Sequence, residues 1–199
     1  MNIDMSPVVW QQAALAALAL ALVAAVVTDL RSRRIPNTLV LATLMVGLLT
    51  HVIGPSNGEG GLFSYWPGAL GAQGAVLGAL TGLALFLPLY LLRAMGAGDV
   101  KLMAGIGSFA GPAGIVNVVL FVLVVGGVLA VLRMLWVRKS RLVLFNTTMA
   151  LTQFLPGSAG SFDPATQSAD RMPYALSIAC GVALYGAWIL VGGGPLIHF

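Results

Sequence analysis

Leu102-Met103-Ala104-Gly105-Ile106-Gly107-Ser108-Phe109-Ala110 runs into Gly111-Pro112-Ala113-Gly114, and the chain then stays free of charge as far as Leu132. That run is too long for one membrane span. A span needs about 20 apolar residues, because the hydrocarbon core is roughly 30 Å thick and a helix rises about 1.5 Å per residue. Glycine and proline at 111–114 supply a break, so the run divides into a short helix at about 99–110 and a full one at about 114–135. The short helix is expected to tilt or to thin the bilayer locally. Charge-free runs at 8–28, 37–54, 68–92 and 173–192 bring the count to six transmembrane helices in a single integral-membrane domain, 1–199.

Composition agrees with this all-α, polytopic reading. Of the 199 residues, 59% are hydrophobic and only 8% are charged, whereas an ordinary soluble domain carries roughly a quarter charged residues. The net charge of +4 is no nucleic-acid signal, because the basic residues form short groups between apolar runs. On the six-span map all of Arg31, Arg33, Arg34, Arg93, Lys101, Arg133, Arg138, Lys139, Arg141 and Arg171 fall on one side, and only Asp4 and Glu59 on the other. The positive-inside rule makes the basic side cytoplasmic and leaves both termini on the non-cytoplasmic side. The segment 136–172, with a basic start and a moderate apolar run, suits a cytoplasmic interfacial helix followed by a loop. Gly74, Gly78 and Gly82 form a small-residue ridge for close helix packing.

Asp29 and Asp99 stand out on this map. Asp29 follows the first apolar run in Thr28-Asp29-Leu30-Arg31-Ser32-Arg33-Arg34-Ile35-Pro36-Asn37, and Asp99 lies in Gly96-Ala97-Gly98-Asp99-Val100-Lys101-Leu102. An ionised carboxylate beside hydrocarbon costs roughly 2.5–3.5 kcal/mol at a helix centre on insertion scales. Both acids are expected at the cytoplasmic face. There one carboxylate can activate water and the other can protonate the carbonyl oxygen or leaving amine, the close pair sharing one proton. Gly96 and Gly98 would let the chain turn sharply and let a substrate backbone approach. Lys101 reads as a topology or phosphate anchor. A bland account stands beside this one: Asp29 solvated and paired with Arg33 one helical turn on, Asp99 capping a helix. Asn37 or Thr38 is expected to cap the second span, His51 and His198 to lie outside without metal-ligand spacing, and Cys180 to be a small packing residue. A lone cysteine builds neither a disulfide nor a thiolate zinc cluster.

These motifs resemble those of the bacterial type IV prepilin peptidases. Asp29 with its basic stretch and Ile35-Pro36-Asn37 is similar to the first motif of that family, Gly96-Ala97-Gly98-Asp99-Val100-Lys101-Leu102 to the second, and Arg171-Met172-Pro173-Tyr174-Ala175-Leu176 to the segment that opens its last helix. The resemblance implies an aspartic endopeptidase with Asp29 and Asp99 catalytic. Gly96, Gly98, Lys101 and Pro173 would bind substrate or shape the site. It implies no metal or cofactor, and prepilin or pseudopilin precursors as substrates, cut at the cytoplasmic membrane face to release a basic leader. Larger members add a cytoplasmic insertion with a four-cysteine zinc cluster and an N-methyltransferase activity. A chain whose single cysteine is Cys180 resembles the short, peptidase-only enzymes of tight-adherence pilus systems instead. Two other classes remain beside it: a proton-coupled transporter, which needs acids near the midplane, and a non-enzymatic assembly scaffold, for which the acids are dispensable.

Overall fold

The computed structural model describes residues 6–55, 60–64, 66–92, 95–136 and 174–197. Pro173, the proposed interfacial segment beyond Trp136, and Asp4, Glu59 and His198 lie outside the described residues. Those described form five helices and no strand: α1 (Pro7–Ser32), α2 (Asn37–Ile53), α3 (Gly71–Leu91), α4 (Ala97–Trp136) and α5 (Tyr174–Leu190). Three of them, α1, α3 and α4, are long and apolar enough to cross a membrane, and α2 and α5 are shorter apolar helices. Large apolar side chains such as Leu20, Leu80, Val124 and Leu184 point outward from the bundle, as a lipid solvent requires and water does not favour.

The interruption expected at Gly111 is present inside α4. Gly111 adopts φ 72, ψ 174, a combination essentially confined to glycine, and Pro112 follows without an N–H. The chain folds back at this point. Gly82 of α3 faces both Met103, before the break, and Ile115, after it, while Gly78 faces Gly107 and Gly111. The two halves of α4 therefore lie side by side against α3, joined at the Gly111 end. A Cβ on Gly78 would land on the Gly107 carbonyl, and one on Gly82 would crowd the Met103 carbonyl. Backbone-to-backbone contact of this kind holds helices together where lipid is as apolar as the side chains. Two glycines of the expected ridge do this, while Gly74 faces Leu70 of its own chain segment.

The short half, 97–110, is buried at every position from Leu102 to Ala110. At about 1.5 Å per residue it is roughly 21 Å long, less than the bilayer core. Its neighbours cover it on all sides. The second half runs antiparallel to α5, with Gly181 against Val122 and Ser177 against Gly126. Leu18, Leu22, Phe86, Ile106, Val118 and Tyr185 form the common core. Cys180 is exposed on the outer face of α5, so it does not pack in the core as expected. α5 turns Ile178 and Tyr185 inward instead.

Helix ends fix the register. Ser6 Oγ accepts from the Val9 amide at 3.3 Å and Pro7 opens α1. α1 continues past Asp29 and stops where Arg33 enters the left-handed region, φ 52, its N–H bonded to the Asp29 carbonyl at 2.8 Å. Neither Asn37 nor Thr38 caps α2. Pro36 occupies that position without a side-chain cap and Asn37 becomes the first helical residue. His51, at the far end of α2, is 1% exposed. The Leu70 amide donates to its Nδ1 at 3.1 Å, so the proton resides on Nε2, which donates to the Phe109 carbonyl at 2.8 Å. That carbonyl lies in the last turn of 97–110, where the break at Gly111 leaves acceptors without helical partners.

Candidate active site

Three helix ends meet at the pole opposite Gly111. Asp29 comes from the last turn of α1, Asp99 from the first turn of α4, and the N-terminus of α5 closes the group. Asp29 is 9% and Asp99 8% exposed, and their carboxyl groups are near enough for their charges to interact. Each is held by a backbone amide. Asp99 occupies the third helical position and its Oδ2 accepts from the Gly96 N–H at 3.2 Å, while the Asp99 amide donates to the Gly96 carbonyl at 3.2 Å. The side-chain bond is one half of a capping box; Gly96 has no side chain to supply the other, and its backbone carbonyl takes the Asp99 amide instead. Asp29 Oδ2 accepts from the Ala175 amide at 3.3 Å, one of the donors that the first turn of α5 leaves without a helical acceptor. Among the described residues, Oδ1 of each acid has no protein partner and remains for water or substrate.

Of the two bland readings, only that of Asp99 is half right. Asp99 does cap its own helix, yet it does so while buried beside a second acid. The pairing of Asp29 with Arg33 on a continuing turn does not form as expected, because Arg33 leaves the helix and is exposed.

The glycines act by space and not by a left-handed turn, since neither Gly96 nor Gly98 has positive φ. A Cβ on Gly98 would come to 3.3 Å from the Ile35 Cβ, and one on Gly96 to 3.3 Å from Asp99 Oδ2. The Ile35-Pro36-Asn37 segment is therefore seated directly on the Asp99 turn. Lys101 strengthens this seat: its exposed ammonium donates to Asn37 Oδ1 at 3.1 Å. No anion-anchoring role is needed to explain it. Arg31, Arg33, Arg34, Lys101 and Arg133 all fall at this pole, the last because α4 runs antiparallel to α5.

A cavity of about 300 Å³ lies at the other pole, lined in part by Phe63, Asn117, Tyr185 and Pro195. It holds neither acid. Among the described residues no cluster of three or more His, Cys, Asp or Glu offers a metal site.

The model of the type IV leader peptidase family matches residues 16–131. The chain belongs to that family. The matched segment includes Asp29, the Ile35-Pro36-Asn37 seat and the Asp99 turn. It stops before α5, so the amide that anchors Asp29 comes from outside it. Comparison with curated proteins and with solved structures returned no match. Family membership supports a leader-peptidase activity.

Sequence reasoning did not assign Tyr174 or Ala175 to the site. Ala175 acts through its backbone, which no residue type signals. Tyr174, the first residue of α5, lies within electrostatic reach of Asp99. Its signal was the Pro173-Tyr174 segment.

Proposed function

We propose that the protein is an aspartic endopeptidase that removes the basic leader from pilin-like precursors at the cytoplasmic face of a bacterial inner membrane. The observation that carries this reading is the meeting of two buried carboxylates, Asp29 and Asp99, at one pole of an apolar bundle. One carboxylate takes a proton from water as its oxygen attacks the scissile carbonyl carbon. The other gives its proton to the carbonyl oxygen, and collapse of the tetrahedral intermediate breaks the C–N bond with a proton passing to the leaving amine. The substrate's apolar helix stays in lipid, which fixes the depth of the scissile bond.

Six spans, with 97–110 and 112–136 counted separately, place both termini on the non-cytoplasmic side and gather the basic residues on the cytoplasmic one. The reading is peptidase-only, since a lone cysteine cannot assemble the four-thiolate cluster of the methylating members. Acids in terminal helical turns argue against a proton path, which needs them nearer the midplane.

The experiment is co-expression with candidate pilin precursors, scoring leader removal by wild type, Asp29→Asn and Asp99→Asn. Both variants are expected to fold and to leave the precursor uncut. Leader removal by either variant rejects the aspartic mechanism.

A further inference from the structure

We infer that Tyr174 is a third catalytic residue of this site, its phenolic hydroxyl donating a hydrogen bond to the oxygen of the scissile carbonyl as that oxygen gains charge. The inference rests on the reading of Asp29 and Asp99 as the catalytic pair.

The geometry begins with α5. Its second residue, Ala175, gives its amide to Asp29 Oδ2 at 3.3 Å, so the first turn of the helix is pinned onto one acid. Tyr174 is the residue immediately before it and lies within electrostatic reach of the other acid, Asp99. One helix terminus thus reaches both carboxylates, by a backbone hydrogen bond to Asp29 and by the electrostatic proximity of the Tyr174 side chain to Asp99.

Exposure separates Tyr174 from the rest of the group. Both acids are buried, whereas Tyr174 is 37% exposed. The buried tyrosine of the same helix, Tyr185, has a packing role instead, with Phe63 and Phe121 at ring centroid distances of 5.3 and 5.2 Å.

Chemistry selects the role. Carboxylates share a single proton and can donate only one O–H between them. A developing oxyanion gains from a second, fixed donor in a site that excludes water. A phenol can supply that donor without itself losing a proton, so the balance of the hydrolysis is unchanged: water adds, the C–N bond breaks and the amine leaves protonated. The donors of α5 and the dipole of its first turn already favour negative charge there.

The test uses the full-length protein in proteoliposomes with a precursor made of a basic leader and one apolar helix. It compares wild type, Tyr174→Phe, Tyr174→Ala and Asp99→Asn, with thermal unfolding measured on each. Removing one such donor is expected to lower kcat on the order of 10²-fold in Tyr174→Phe, with KM and unfolding temperature held. Wild-type kcat in Tyr174→Phe overturns the inference. So does a pattern in which Tyr174→Phe is normal while Tyr174→Ala raises KM alone, which would make the ring a packing surface for substrate. Those results leave the acid pair standing if Asp99→Asn is inactive. Cleavage by Asp99→Asn removes the pair itself, and the role of Tyr174 with it.

Discussion

Asp29 and Ala175, 146 positions apart, are joined by a hydrogen bond from the Ala175 amide to Asp29 Oδ2. The acid at the end of α1 therefore serves as the cap of α5. A helix N-terminus carries partial positive charge and orphan N–H groups, so a carboxylate placed there is stabilised. The same bond fixes the carboxyl orientation. An asparagine retains one carbonyl oxygen that can accept from Ala175, and likewise from Gly96 at the Asp99 position. Substitution by Asn therefore separates loss of chemistry from loss of the cap, which substitution by Ala would not. Asp29→Ala is expected to cost about 1 kcal/mol beyond Asp29→Asn, the usual value of a cap, in denaturant unfolding of the detergent-solubilised protein.

Gly96 and Gly98 separate orientation from packing. Alanine at 96 meets Asp99 Oδ2 at 3.3 Å and alanine at 98 meets Ile35 Cβ at 3.3 Å. Gly96→Ala is expected to reduce cleavage roughly tenfold with stability within about 1 kcal/mol, since only a carboxyl rotamer must move. Gly98→Ala gains roughly 1 kcal/mol of helix propensity and loses a similar amount to crowding. It should be near neutral, whereas Gly98→Leu should unseat Ile35 and lose activity. Initial rates and unfolding curves for the three variants check this.

Some of this architecture was legible along the chain. The break in α4 was, because Gly111-Pro112 combines a residue suited to positive φ with one that lacks an N–H. The acids were, because charge beside long apolar runs needs a compensating reason. What stayed hidden depends on tertiary partners. The amide of Ala175 is no different in sequence from any other. His51 lies at the end of an apolar run, and nothing along the chain signals that Leu70 and Phe109 bracket its ring. Asn37 reads as a cap until Pro36 is found in the capping position, which frees the Asn37 side chain for Lys101.

The Lys101–Asn37 hydrogen bond ties the start of α4 to the start of α2. Both side chains are exposed, so the bond should contribute little to global stability, about 1 kcal/mol or less. Its effect should show in positioning. Lys101→Met and Asn37→Ala are each expected to lower kcat several-fold, and the double variant to be no worse than the poorer single. Additive losses in that double-mutant cycle would mean that the two residues act separately.

The α3 contact with α4 gives a contrast between two glycines. Gly78→Ala drives a methyl into the Gly107 carbonyl and the Gly111 backbone, neither of which can rotate away, whereas Gly127 has nothing within 4 Å of an added Cβ. Gly78→Ala should destabilise by about 3 kcal/mol. Gly127→Ala should be neutral or stabilise by up to about 1 kcal/mol. Unfolding in mixed micelles reads both, and equal effects would contradict the close approach of the two backbones.

His51 provides the test at the far pole. Its ring accepts from the Leu70 N–H and donates to the Phe109 carbonyl, and the edge of Trp10 packs on it with centroids 5.5 Å apart. His51→Phe fills the same space and strands both backbone groups in an apolar interior. Each stranded group costs roughly 1–3 kcal/mol, so the variant should lose about 2–6 kcal/mol. His51→Gln keeps one acceptor and one donor on a flexible chain and should lose less. Because the ring is remote from Asp29 and Asp99, the folded fraction of either variant should cleave precursor at the wild-type rate. Rates normalised to the folded fraction by unfolding curves make the comparison, and a drop in normalised rate would show that the two poles are coupled through the buried half of α4.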